Sequence, residues 1–267
     1  MTWPFDVSPP VPLPPGRSVV GDEGRGQQPL LWVSDERPPA GLWGQLHRAH
    51  PQSGLYPLLL APLADEPDFR PWLSGELFPA LVSDPAHHDP AALLRGWWEG
   101  PNVEDEEEDE DDFDPVLAPY DATWPGLAAD PVPLPCVADA GECARILAAG
   151  LEADGGRLRL GLVRAAGGAA ALAACGWNGP VNHENDTAKI AAVLASWERR
   201  FGARVVQAGF DTLELSVAAP PATLDEALPL AAEHTALCPD LVFQGTGTLT
   251  AYAELLVAFP RWSFWWD

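Results

Sequence analysis

Nine polar residues in the last third of the chain could do chemistry together: Asn178, Asn182, His183, Glu184, Asp186, Asp211, His234, Cys238 and Asp240. Imidazole, thiolate and carboxylate groups are zinc ligands, and an open fourth position on zinc activates water. His234 and Cys238 stand four residues apart on an expected helix, so with His183 they are the candidate metal ligands. The same two residues also complete a stripe with Ala227 and Ala231 at helical steps, the pattern of a core-facing surface. His183-Glu184 and Asn185-Asp186 serve equally well as loop hydrogen-bond formers and helix caps. In Gln244-Gly245-Thr246-Gly247-Thr248 a glycine loop runs into a helix, where backbone N–H groups can meet an anion. The lysine and spacing of a phosphate loop are missing there. His87-His88-Asp89, between prolines, reads as an exposed helix entry. No motif of high specificity occurs, and no cofactor is expected.

Periodicity names the elements that must position these groups. Leu158 to Val163 and Ala171 to Trp177 are strand candidates, and Asn178-Gly179-Pro180 is a turn. A helix starting near Asp186 carries Ile190, Leu194, Trp197 and Phe201 on one face and ends at Gly202. Ala203 to Ala208 is a strand, Gly209-Phe210-Asp211 turns it, and Leu213, Leu215 and Val217 alternate with polar residues in the next. Thr223 and Glu226 form a capping box for a helix that Pro229 should kink or split and that stops before Pro239. Thr248 caps a third helix. Trp262, Phe264 and Trp266 then share one face of a terminal strand.

The order strand, helix, strand, strand, helix pair, strand over 171–267 is that of a split β-α-β, ferredoxin-like α+β sandwich, with the strand near 158–164 as an extra one. Its geometry would gather the nine polar residues at one end of the sheet. A smaller β-α-β unit precedes it: Leu30 to Ser34, a helix from Pro39 to Ala49 with Leu42, Trp43 and Leu46 inward, and Tyr56 to Leu60. Asp89-Pro90 opens a helix bearing Leu93, Leu94, Trp97 and Trp98. The expected organisation is a Pro/Gly-rich arm over 1–29, an α/β subdomain over 30–100, an acidic mobile linker over 101–130 and an α+β domain over 131–267.

The formal charge of -24 includes ten acids between Glu104 and Asp114, so the remainder carries -14. Carboxylates at that density repel one another and favour a solvated segment. Lys189 is the one lysine, and no basic stripe is present, which argues against a nucleic-acid surface. No segment reaches the ~20 apolar residues of a membrane span, and no leader precedes the first element, which places the chain in the cytoplasm. Cys136, Cys143, Cys175 and Cys238 are too scattered for a disulfide framework and read as thiols. Twelve Trp against three Tyr point to an aromatic core, although adjacent Trp97 and Trp98 cannot both face it.

The phrases Trp177-Asn-Gly-Pro-Val-Asn182, Ser196-Trp-Glu-Arg-Arg-Phe-Gly-Ala203, Gly209-Phe-Asp-Thr-Leu213, Ala232-Glu-His234, Cys238-Pro-Asp240 and Trp262-Ser-Phe-Trp-Trp-Asp267 resemble an uncharacterised bacterial family, domain of unknown function 4253. Leu31-Trp-Val-Ser-Asp35 and Gly54-Leu-Tyr-Pro-Leu-Leu60 resemble its longer, actinobacterial-type members. The resemblance implies no activity, cofactor or catalytic residue. The leading expectation is a non-enzymatic binding or interaction protein, of which an immunity-type protein that binds a basic partner is one specific version. The rival is a metal-dependent enzyme or small-molecule-binding domain using His183, Asp211, His234 and Cys238.

Overall fold

The computed structural model describes residues 3–21, 28–64, 67–100, 115–121, 123–131 and 139–267; the acidic run and Cys136 lie outside the described residues. In chain order the elements are β1 (Gly16–Val19), β2 (Leu31–Ser34), α1 (Leu42–Ser53), β3 (Leu55–Leu60), α2 (Pro90–Glu99), α3 (Ala140–Ala153), β4 (Arg159–Arg164), α4 (Gly168–Cys175), α5 (Thr187–Arg200), β5 (Arg204–Ala208), β6 (Thr212–Ser216), α6 (Leu224–Leu237), α7 (Leu249–Leu256) and β7 (Arg261–Trp265). The strands form one mixed sheet in the order β1-β2-β4-β3-β5-β6-β7. Neighbours are antiparallel except β3 and β5, which are parallel. Strands β3, β5 and β7 therefore run the same way and end on the same side.

Alternation along the strands divides the apolar side chains between two cores. Leu31 and Val33, Tyr56, Leu58 and Leu60, Val205, Leu213 and Leu215, Trp262 and Phe264 face α2 and α4 to α7. Trp32, Leu59, Leu160, Leu162 and Val206 face α1 and α3. The result is an α+β fold of three layers. No helix among the described residues is long and apolar enough to cross a membrane.

Helix starts follow local chemistry. The side chains of Asp89, Asp186, Thr223 and Thr248 each accept a backbone N–H in the first turn of α2, α5, α6 and α7. Helix α6 runs unbroken through Pro229, because the carbonyl that proline leaves unpaired belongs to exposed Asp225.

Three further expectations are corrected. Residues 171–177 are not a strand; they lie in and just after α4, whose small side chains are buried on nearly every side, so no helical period shows in the sequence. The C-terminal strands do not form a ferredoxin-like sandwich of their own, because β3 lies between β4 and β5. The split arrangement is found earlier in the chain, where β2 and β3 flank β4. Order begins before Leu30: β1 pairs with β2, and Trp3, Phe5, Val11 and Leu13 pack on the core beneath α1 and α3.

Gly176 ends α4 at φ 68, and a Cβ there would lie 2.2 Å from Pro79 N and 2.5 Å from Phe78 C. Both the left-handed backbone and the contact exclude a side chain. Gly176→Ala is expected to lower stability by at least about 2 kcal/mol. An unchanged thermal midpoint in the variant would contradict this account of the α4 terminus.

Candidate functional site

The carboxyl ends of β3, β5 and β7 open into a cavity of about 450 Å³ lined by Pro71, Glu76, Phe78, Asn178, Gly179, Val181, Asn182, Phe210, Asp211, Trp266 and Asp267. The carboxyl ends of strands are where ligands meet open sheets of mixed helices and strands. A smaller cavity of about 160 Å³ shares Asn182, Trp266 and Asp267 with it and adds His183, Pro239 and Asp240. Trp266 forms a rigid wall: its indole N–H donates to Leu237 O at 3.1 Å, and its ring meets Trp177 edge-on at 5.9 Å. Trp177 is held in turn by its N–H to Gly209 O at 2.8 Å.

Of the nine polar residues, the structure brings Asn178, Asn182, His183, Asp211 and Asp240 to these cavities. Among the described residues the side chains of Asn178, Asn182 and Asp211 have no hydrogen-bond partner. Asp240 is engaged, accepting from Gln244 Nε2 at 2.6 Å and from the Asp267 N–H at 3.0 Å. Burial holds the His183 imidazole below its usual range, and Trp97 lies 5.3 Å from its ring. Trp98 meets Trp124 at 5.9 Å, so each tryptophan of the adjacent pair has a ring neighbour within the chain.

The other members have structural duties. Glu184 pairs with Lys189 at 2.8 Å and accepts the Asp186 N–H. Asp186 caps α5 and also accepts the Ser83 N–H at 3.1 Å. Burial would raise its carboxyl, but these bonds, the Ser83 hydroxyl and nearby His88 hold it below its usual value.

His234 and Cys238 are core residues. His234 Nδ1 lies 2.9 Å from the Tyr252 hydroxyl, its Nε2 is buried without a partner, and burial keeps the ring neutral. The Cys238 thiol donates to Trp265 O at 2.8 Å and is pushed up to about 12 by burial, which removes it as a thiolate nucleophile or ready ligand. Among the described residues no group of three or more His, Cys, Asp or Glu is disposed to hold a metal ion.

In the glycine loop, residues 241–246 form a turn of π-helix. The Thr246 hydroxyl donates to Thr248 O, and Thr248 Oγ accepts the Ala251 N–H. Thr248 thus occupies the helix end that an anion would need, and Gly245 and Gly247 supply only backbone there.

One constellation has the composition of a hydrolase triad. Ser83 Oγ lies 2.6 Å from His88 Nε2. Asp186, however, approaches that same Nε2 at 3.8 Å instead of orienting the ring from Nδ1. These contacts tie the 83–88 loop to α5.

Residues 159–267 match a domain of unknown function (DUF4253). No curated protein and no solved structure matches the chain. The DUF4253 match runs from β4 to β7 and supplies Asn178, Asn182, Phe210, Asp211, Trp266 and Asp267, whereas Pro71, Glu76 and Phe78 come from outside it. Sequence reasoning missed the three outer residues, which reach the cavity from a loop far along the chain. Phe210 and Trp266 were within reach, since one sits in the marked turn and the other ends the terminal strand.

Proposed function

We propose that the chain is a non-enzymatic, cytoplasmic binding protein whose cleft at the ends of β3, β5 and β7 receives a cationic group offered by a basic partner protein. The observation that carries this reading is the set of unpartnered side chains, Asn178, Asn182 and Asp211, facing a cavity walled by Phe78, Phe210 and Trp266. Glu76 and Asp267 add carboxylates to the same walls. Such a lining favours an apolar stem with a positively charged head. The Ser83 and His88 pair lacks its orienting group, and Cys238 is protonated and enclosed, so neither supplies an activated nucleophile. A small cationic molecule is the second reading, favoured by a cavity volume that suits one.

A short arginine- and lysine-containing peptide is expected to bind saturably in calorimetric titration, more weakly as salt rises. Asp211→Asn should weaken that binding about tenfold while leaving the thermal midpoint unchanged. Absence of saturable binding, or equal affinity in the variant, would remove the cleft from consideration.

A further inference from the structure

We propose that the mouth of the cleft is a guanidinium seat and that Arg70 is its resident occupant, displaced when an arginine of the partner enters. The inference rests on the binding reading above and names the group bound. The Arg70 Nε–H is shared between both Glu76 oxygens at 2.9 Å each, and the guanidinium carbon lies 5.2 Å over the centre of the Phe210 ring. Glu76 and Phe210 both line the cavity, as does Pro71, the next residue after Arg70. A carboxylate beside an aromatic face is the pairing that accepts a planar, weakly hydrated guanidinium in preference to a compact ammonium.

The occupant is exchangeable. The Arg70 and Glu76 side chains are 35% and 31% exposed, and an ion pair so open to solvent is held weakly. An entering arginine meets the same Glu76 and Phe210 surfaces and, further in, Asn178, Asn182 and Asp211, which Arg70 leaves without partners. Arg70 therefore sets a threshold: an arginine with neighbouring contacts displaces it, and a lone cation competes poorly.

The test is calorimetric titration of the full chain with N-acetyl-arginine amide, with N-acetyl-lysine amide as the cation control. Arg70→Ala is expected to bind the arginine amide about tenfold more tightly than the native chain, with no comparable gain for the lysine amide. Adding Glu76→Gln to that variant should abolish the gain. Arg70→Lys retains a charge on the loop without the planar group and should show a partial gain, which keeps the test open where Arg70→Ala fails to fold. Binding equal in the native chain, Arg70→Ala and Arg70→Lys, yet weakened by Asp211→Asn, would overturn the seat and leave the cleft reading standing. Absence of binding to either amide and to the basic peptide in every variant would overturn both.

Discussion

Replacing Glu233 by alanine is expected to lower stability by about 3–5 kcal/mol, the range for leaving one partner of a buried ion pair alone. Glu233 has no exposed surface although it carries a carboxylate. It accepts from the Ala128 N–H and the Trp197 indole N–H at 2.7 Å each and from two nitrogens of Arg200, one at 2.8 Å. Arg200 also donates to Ala128 O at 3.1 Å. Four donors on two oxygens offset the desolvation of the charge, and they join α5, α6 and the 123–131 segment. Without the carboxylate, Arg200 remains almost enclosed, at 11% exposure. The loss should show in urea unfolding together with faster proteolysis of 123–131. A loss below about 1 kcal/mol would mean that water replaces the carboxylate cheaply and that this cluster does not hold the segment.

Acidification from pH 7 to 5 is expected to weaken the fold through its enclosed imidazoles. His234 lies within 5.9 Å of the rings of Trp197, Tyr252, Trp262 and Phe264. Burial, and then Arg200, holds it neutral well below its ordinary 6.5. Unfolding frees the ring to take a proton, so its contribution is complete above pH 6.5. It declines as pH falls below that value, by about 1.4 kcal/mol per pH unit. His47, lowered to about 4 by burial and Arg145, and His183, lowered by burial, act in the same direction. Glu198 opposes them: burial raises its carboxyl above 4.5, so the folded state takes up that proton first. His234→Leu should be less stable at pH 7, having lost the Tyr252 contact, and should lose less between pH 7 and 5 than the native chain. Equal losses would exclude His234 from the acid response.

Caps and stripes were legible because they are local. Asp89, Asp186, Thr223 and Thr248 announce their helices within four residues, and the Trp262, Phe264 and Trp266 alternation fixes the buried face of β7. Helix α4 was not legible, since an alanine run enclosed on nearly every side has no polar face to mark its period. Helix α3 went unread in a stretch where the apolar stripe is mostly alanine. The strand order was hidden for a different reason: β3 meets β4 and β5 through pairings that only the folded chain creates. Part of the site followed from the turn at 209–211 and the loop at 178–183. A stripe of spaced ligands and a stripe of core residues look alike in sequence until burial is known, and the structure places His234 and Cys238 in the core.

The place of β3 in the sheet also governs when the sheet can form. All six residues of β3 are buried, yet both of its neighbours, β4 and β5, lie beyond residue 158. On a chain made from its N-terminus, this apolar strand leaves the ribosome with no partner to pair with and waits for more than half of the molecule. Long-range pairing of this kind is slow, because the closure entropy of the intervening chain must be overcome before any contact stabilises it. The middle of the sheet therefore cannot close until β4 and β5 have been made, and the exposed Leu55–Leu60 ribbon is the stretch that a nascent chain must keep from pairing elsewhere.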